Sequence, residues 1–225
     1  MMSDIELPIF PLPLVLFPGV RQPLHVFEPR YRDLLRDCLA GDRRFGLSLL
    51  IPTPGTAGVP QPGDVGCTAR IQSHHPLPDG RSNLLTVGEN RYVLQRLVER
   101  DCAYLVGRVQ FLHDETAEAE FAGITRRVRE QFSRIISSFD DTGGMPGVSV
   151  HPPEDPEGLS FAVSAALDLG LATKAQLLRL TSTATRLERL HTLLQPLVRD
   201  AAKRTTVRKA AKRNGRRHAP TCSGE

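Results

Sequence analysis

Residues 7–35, LPIFPLPLVLFPGVRQPLHVFEPRYRDLL, decide the fold. Short apolar runs are punctuated by Pro8, Pro11, Pro13, Pro18 and Pro23, with Gly19 after the fourth. Proline has no N–H to give a sheet ladder, so such runs belong at edges, bends and strand starts. Their apolar content is too high for a solvated loop. The stretch is expected to form a short, bent, buried β-ribbon folded against a barrel. It then enters a helix through Glu28-Pro29-Arg30-Tyr31, with Pro29 in the first turn.

Working outward, the first half reads as β. Residues 44–51 (RFGLSLLI) form an apolar run ended by Pro52, which suits a buried strand. Residues 52–63 hold four prolines and three glycines and read as a surface loop. Strands follow at 65–73, 83–87, 91–98 and 104–112, with turns expected at Pro78-Asp79-Gly80 and at Gly88-Glu89-Asn90. Several short strands at near-regular spacing suggest a small barrel.

The second half reads as helix. Phe121, Ile124, Val128, Phe132, Ile135, Ile136 and Phe139 recur at helical spacing. A breaker-rich linker spans 140–158. Short helices are expected at 159–169, capped by Gly170, and at 173–180. Leu187, Leu190, Leu193, Leu194 and Leu197 line a last helix starting near Ser182 or Thr183, which Pro196 kinks or ends early. From about Lys203 no apolar stripe remains, and the segment reads as disordered.

The opening stretch closely resembles the start of the N-terminal substrate-binding domain of Lon proteases. So do GDRRFG at 41–46, then VGCTARI, LPDGR and NLLTVGENRYVL, and the helical block from 155 to 194. The order and spacing of these blocks carry the resemblance; no single one is a catalytic signature. The resemblance implies an α+β fold, with a PUA-like β pseudobarrel over 1–115 and a small helical bundle over 116–202. A basic tail over 203–225 completes the division.

Charge sharpens that division. The chain has 29 basic and 25 acidic residues, a net of +4, but eight Lys or Arg and no acid lie within 203–217. Without those eight and Glu225, 21 basic and 24 acidic residues remain, a net of −3, so the basic character belongs to the tail. No apolar run approaches the roughly 20 residues that span a bilayer. The N-terminus starts acidic and lacks the features of a signal peptide, so a cytoplasmic location is expected. Cys38, Cys67, Cys102 and Cys222 are scattered, with no CxxC spacing to indicate zinc or redox chemistry.

The resemblance to a protease raises the question of its catalytic parts. An ATPase needs a glycine-rich loop whose amides cradle phosphates, with a lysine reaching the terminal ones. No GxxxxGK[ST] occurs in these 225 residues. A Ser-Lys dyad needs a lysine of lowered pKa beside a serine. Of four lysines, only Lys174 lies outside the tail, near a helix start and on a face that reads as exposed. His74 and His75, adjacent on a strand, point to opposite faces and do not share a metal easily. A non-catalytic protein without metal or cofactor is expected.

The expected role, implied by the resemblance, is that of a stand-alone substrate-binding domain that takes unfolded polypeptide or a protein partner. Glu28, Arg30 and Tyr31 at the strand-to-helix corner, and Arg91 and Tyr92 further on, are the candidate peptide-binding residues. For each, the plainer reading is a structural one: a charged corner and packed rings. A peptide pairing with an exposed strand edge is a further route, with the 52–62 loop as a flap. The alternative function is a nucleic-acid-associated PUA-like protein working through its tail. Eight charges suit salt-sensitive phosphate contact, but no aromatics are interleaved for base stacking.

Overall fold

The computed structural model describes residues 5–50, 58–115, 122–140 and 152–215. Among these residues six strands and five helices follow in order: β1 (Ile5–Leu12), β2 (Arg21–Val26), α1 (Pro29–Ala40), β3 (Arg44–Leu49), β4 (Val65–Pro76), β5 (Ser82–Val98), β6 (Leu105–Leu112), α2 (Ala122–Asp140), α3 (Pro156–Ala166), α4 (Leu171–Arg179) and α5 (Thr183–Gly215). The strand order is β2-β5-β4-β3-β1-β6, and β6 pairs back onto β5. Five strands therefore close a ring of pairings, with β2 attached outside it on β5.

The proline-punctuated opening sits inside this ring, which needs a physical explanation. β1 pairs antiparallel with β6 through Ile5–Ile9 and parallel with β3 through Ile9–Leu12. The strand hands its pairing over at Ile9. Pro8 faces Val106 of β6, and Pro11 faces Ser48 of β3. Each proline is thus paired on one side only, a local edge within an interior strand. Pro29 takes the first turn of α1 as expected, after Glu28 at the N-cap.

The turn expected at Gly88-Glu89-Asn90 does not form: β5 runs unbroken from Ser82 to Val98. The glycine is needed for a close crossing instead. Gly88 donates to the Val20 carbonyl at 3.0 Å and accepts from Gly19 at 2.9 Å. A Cβ at Gly88 would lie 2.2 Å from the Phe17 carbonyl oxygen. The Pro78-Asp79-Gly80 turn does form, with Gly80 at φ +80 and Asp79 accepting from the Arg81 amide.

Ile124, Val128, Phe132 and Ile135 of α2 are buried against Leu187, Leu190 and Leu194 of α5, as the spacing predicts. Leu197 instead faces solvent. α3 begins earlier than expected, because Asp155 caps it by accepting from Gly158 at 2.6 Å and Pro156 fits its first turn. Gly170 caps the start of α4 rather than the end of α3. α5 passes through Pro196 and reaches Gly215. Packing of Leu194 on one side of the proline and Val198 and Ala201 on the other offsets one lost hydrogen bond. Beyond it, the Ala- and Lys/Arg-rich sequence favours helix, so the backbone is helical well past Lys203, where disorder was expected to begin. No helix among the described residues is long and apolar enough to cross a membrane.

Candidate functional site

Phe17 shows how the β and helical parts meet. It leaves the ribbon fully buried and packs in the helical core, its ring 6.2 Å from Phe161 of α3. A polar cluster lies beside it. Arg91 of β5 pairs with Asp114, just past β6, and donates to the Leu178 and Leu180 carbonyls at 2.8 and 2.5 Å. Arg186 of α5 donates to the same Asp114 carboxylate at 2.5 Å, to the Leu180 carbonyl at 2.7 Å and to Ser160 Oγ at 2.6 Å. Thr183 also donates to Asp114. The Arg91 and Arg186 guanidinium carbons lie 5.2 and 4.1 Å from the Phe161 ring centre. Burial pulls the Arg91 pKa below its ordinary value, with the Asp114 charge opposing that shift.

This cluster corrects the expectation for Arg91 and Tyr92. Neither borders a groove: Arg91 is 2% and Tyr92 0% exposed. The Tyr92 ring fills the space above Gly46 and Gly66, where a Cβ on either glycine would collide with it at 2.7 and 2.4 Å. Its hydroxyl shares a 2.8 Å hydrogen bond with Ser48 Oγ, and burial raises its pKa. The small residues of β3 and β4 were the signal that a large ring would cover them.

The corner residues are divided. Glu28 and Arg30 form an exposed ion pair at 2.9 Å, and Arg30 lies over the Tyr31 ring. Tyr31 is buried against Phe10, with ring centres 4.1 Å apart. Phe27, just before them, is 56% exposed, the more exposed of the two large exposed hydrophobics among the described residues. β2 pairs with β5 alone among the described residues, so its other side is an edge. Pro23 has no N–H to offer there, and its carbonyl takes a hydrogen bond from the Gln22 side chain at 3.0 Å. That blunts the edge against generic strand addition.

A concave surface that the sequence did not mark lies between the β and helical parts. A groove of about 850 Å³ has Leu14, Val15 and Val20 of the ribbon on one wall and Ala162, Ala165 and Leu171 of the helices on the other. Arg21 and Gln22, at the start of β2, stand at its lip, with Lys174 of α4 within it. Lys174 is half-buried rather than exposed, and its Nζ donates to the Ala165 carbonyl at 3.0 Å. Burial lowers its pKa, with Asp168 opposing the shift. No serine hydroxyl bonds Lys174 among the described residues.

A second cavity, of about 610 Å³, lies on the other side of α4 against Leu49, Val59, Pro60 and Val65. Of the 52–62 loop read as a flap, residues 58–61 border it, while 52–57 lie outside the described residues. His74 bonds Ser82 Oγ at 3.0 Å, and no group of three His, Cys, Asp or Glu among the described residues is placed to hold a metal ion.

Residues 6–196 match the family described as the ATP-dependent protease La (LON) substrate-binding domain. Among curated proteins, the chain is 27% identical over 179 residues to Lon protease 1 of Hydrogenovibrio crunogenus, covering 79% of this chain and 22% of that protein. It is 26% identical over 206 residues to the Lon protease of Azospirillum brasilense, covering 86% of this chain and 25% of that protein. Among solved structures, a Lon N-terminal domain protein from Xanthomonas campestris aligns with a TM-score of 0.60 and 28% identity, over 83% of this chain and 96% of its own. The N-terminal domain of the Mycobacterium avium complex Lon protease shares the fold, with a TM-score of 0.64 at 18% identity, over 87% of this chain and 99% of its own.

Proposed function

Because the chain belongs to the family of ATP-dependent protease La (LON) substrate-binding domains, we propose that it binds polypeptide, as an unfolded client or an extended segment of a protein partner, without acting on it chemically. The observation that carries this reading is the groove of about 850 Å³ between ribbon and helices. Its walls are largely apolar, as a surface for unfolded chain must be. It is formed by the opening ribbon and by α3 and α4, which the Arg91–Asp114–Arg186 cluster ties to the β strands. A rigidly held concavity pays less ordering cost on binding than a flexible one.

The ring-closed strands fit the PUA-like pseudobarrel that the resemblance implies, here as a frame for one wall of the groove. An extended chain lying in the groove and continuing past β2 reaches the corner of Phe27, Glu28 and Arg30. Six β residues span about 20 Å, so the groove and the corner fall within one extended segment. Glu28 and Arg30 thus remain candidates as the far end of the site, with Tyr31 supporting Arg30 from below. The chain spans about a quarter of the length of the curated relatives it matches. The protease activity in their names is not carried over. These 225 residues include no GxxxxGK[ST] loop, and Lys174 bonds a backbone carbonyl.

Fluorescence anisotropy with a labelled, permanently unfolded polypeptide tests the reading. Saturable binding is expected, weakened by Ala166→Trp, which places a large ring at the groove from an exposed helix-end position. Absence of binding to any unfolded polypeptide overturns it.

A further inference from the structure

The groove is apolar in its walls but cationic in its fixed charges. Lys174 projects into it from the first turn of α4, where the helix macrodipole disfavours a cation. Its ammonium has no carboxylate within ion-pair distance among the described residues and rests on the Ala165 carbonyl. The Arg21 side chain, at the lip, has no hydrogen-bond or ion-pair partner among the described residues, although most other arginines near β2 have one: Arg30 holds Glu28, Arg32 the Phe27 carbonyl, and Arg81 Asp79. Asp168, the one acid among the described residues that line the groove, is exposed and does not close on Lys174. A half-buried cation with only a carbonyl to satisfy it is a costly arrangement for stability alone. A ligand carboxylate repays that cost, because a charge-assisted bond gains strength where water is partly excluded.

We infer that the groove selects an extended, mostly apolar polypeptide segment that carries an aspartate or glutamate side chain, received by Lys174 with Arg21 beside it. This rests on the polypeptide-binding reading above and adds to it a chemical preference. The apolar walls take the flanking residues, and the carboxylate replaces the Ala165 carbonyl as the partner of Nζ. A second copy of this chain is a poorer occupant, since β2 and the corner present Arg21 and Arg30 and would bring like charges together.

The test uses the full chain and two short apolar peptides, identical except for a central Glu or Gln, both with amidated C-termini. The Glu peptide is expected to bind about tenfold more tightly than the Gln peptide. Lys174→Met, whose apolar stem packs as lysine's does, should remove that preference and bring the affinities for the two peptides together. Lys174→Arg should keep it. Thermal melting of each variant confirms that it is folded. Equal affinity for the two peptides in the unsubstituted protein overturns the inference and leaves polypeptide binding standing. A preference that appears only with a free C-terminus also overturns it. If neither peptide nor any unfolded polypeptide binds, the underlying reading falls as well.

Discussion

The Arg186 guanidinium grips both oxygens of the Asp114 carboxylate, at 3.3 and 2.5 Å, with side chains 0% and 7% exposed. Arg91 takes the same carboxylate from the other side. Two cations therefore share one carboxylate in a buried junction, with further bonds donated to the Leu178 and Leu180 carbonyls, Ser160 and Thr183. The junction links β5, the end of β6, α3, the α4–α5 connection and α5. Such a cluster specifies an arrangement more than it adds net stability, because burial costs offset the attraction.

Breaking it is another matter. Asp114→Asn takes from two buried guanidiniums the carboxylate they are ion-paired to, and a loss of about 3–5 kcal/mol is expected. Urea unfolding followed by far-UV circular dichroism measures it. A loss under about 1 kcal/mol, the scale of an exposed pair, would show that water reaches the junction.

Tyr92→Phe removes the 2.8 Å hydrogen bond to Ser48 but keeps the ring over Gly46 and Gly66. A loss of about 1 kcal/mol is expected. Gly46→Ala, by contrast, drives a methyl into that ring and should cost more, about 1–3 kcal/mol, by overpacking. Chemical denaturation of the two variants side by side separates the terms.

Gly88→Ala places a methyl against the Phe17 carbonyl, a backbone atom that cannot swing away. The expected loss is again about 1–3 kcal/mol. Because Val20, at the end of this crossing segment, lines the groove, weaker polypeptide binding should accompany it. Unfolding and anisotropy on the same variant check both effects, and unchanged binding in a destabilised protein would separate the crossing from the groove.

Burial pushes the Cys38 thiol up to about 12, while its Sγ donates to the Arg44 carbonyl at 3.1 Å. In the unfolded chain the thiol titrates at its ordinary value, about 9. Above that pH the unfolded chain releases a proton that the native state keeps, so stability is full below about 9 and falls as pH rises toward 12. Thermal melts between neutral and alkaline pH should show this slope, reduced in Cys38→Ala. At neutral pH Cys38 should resist alkylation in the native state and react once denaturant is added.

The basic tail is expected to be dispensable for polypeptide binding. Ending the chain after Ala202 removes the eight basic residues of 203–217 and leaves the groove residues in place. Anisotropy at low and moderate salt should give the same affinity as the full chain.

Much of the fold was legible because it rests on local patterns. The α2 stripe, the Pro29 helix start and the Asp79-Gly80 turn each follow from a few neighbouring residues. Pro8 and Pro11 misled in part, since a strand that changes partner at Ile9 has no signature within itself. Gly88 read as a turn because a backbone crossing and a turn both demand glycine, and the crossing segment at Gly19 and Val20 is far away in sequence. The site was less legible for the same reason. Arg91 and Tyr92 were visible as a charged and an aromatic residue, but their partners Asp114, Arg186 and Ser48 are distant in sequence. The groove walls are ordinary Leu, Val and Ala, and only Lys174, the one lysine outside the tail, stood out.

Hydrogen exchange read by mass spectrometry, with and without saturating unfolded polypeptide, tests the central claim most directly. Binding in the groove predicts slowed exchange at residues 20–22 and across 162–174, with little change at the far side of the β ring in β6. Slowed exchange confined to the β ring or to α2, with the groove segments unchanged, would contradict it.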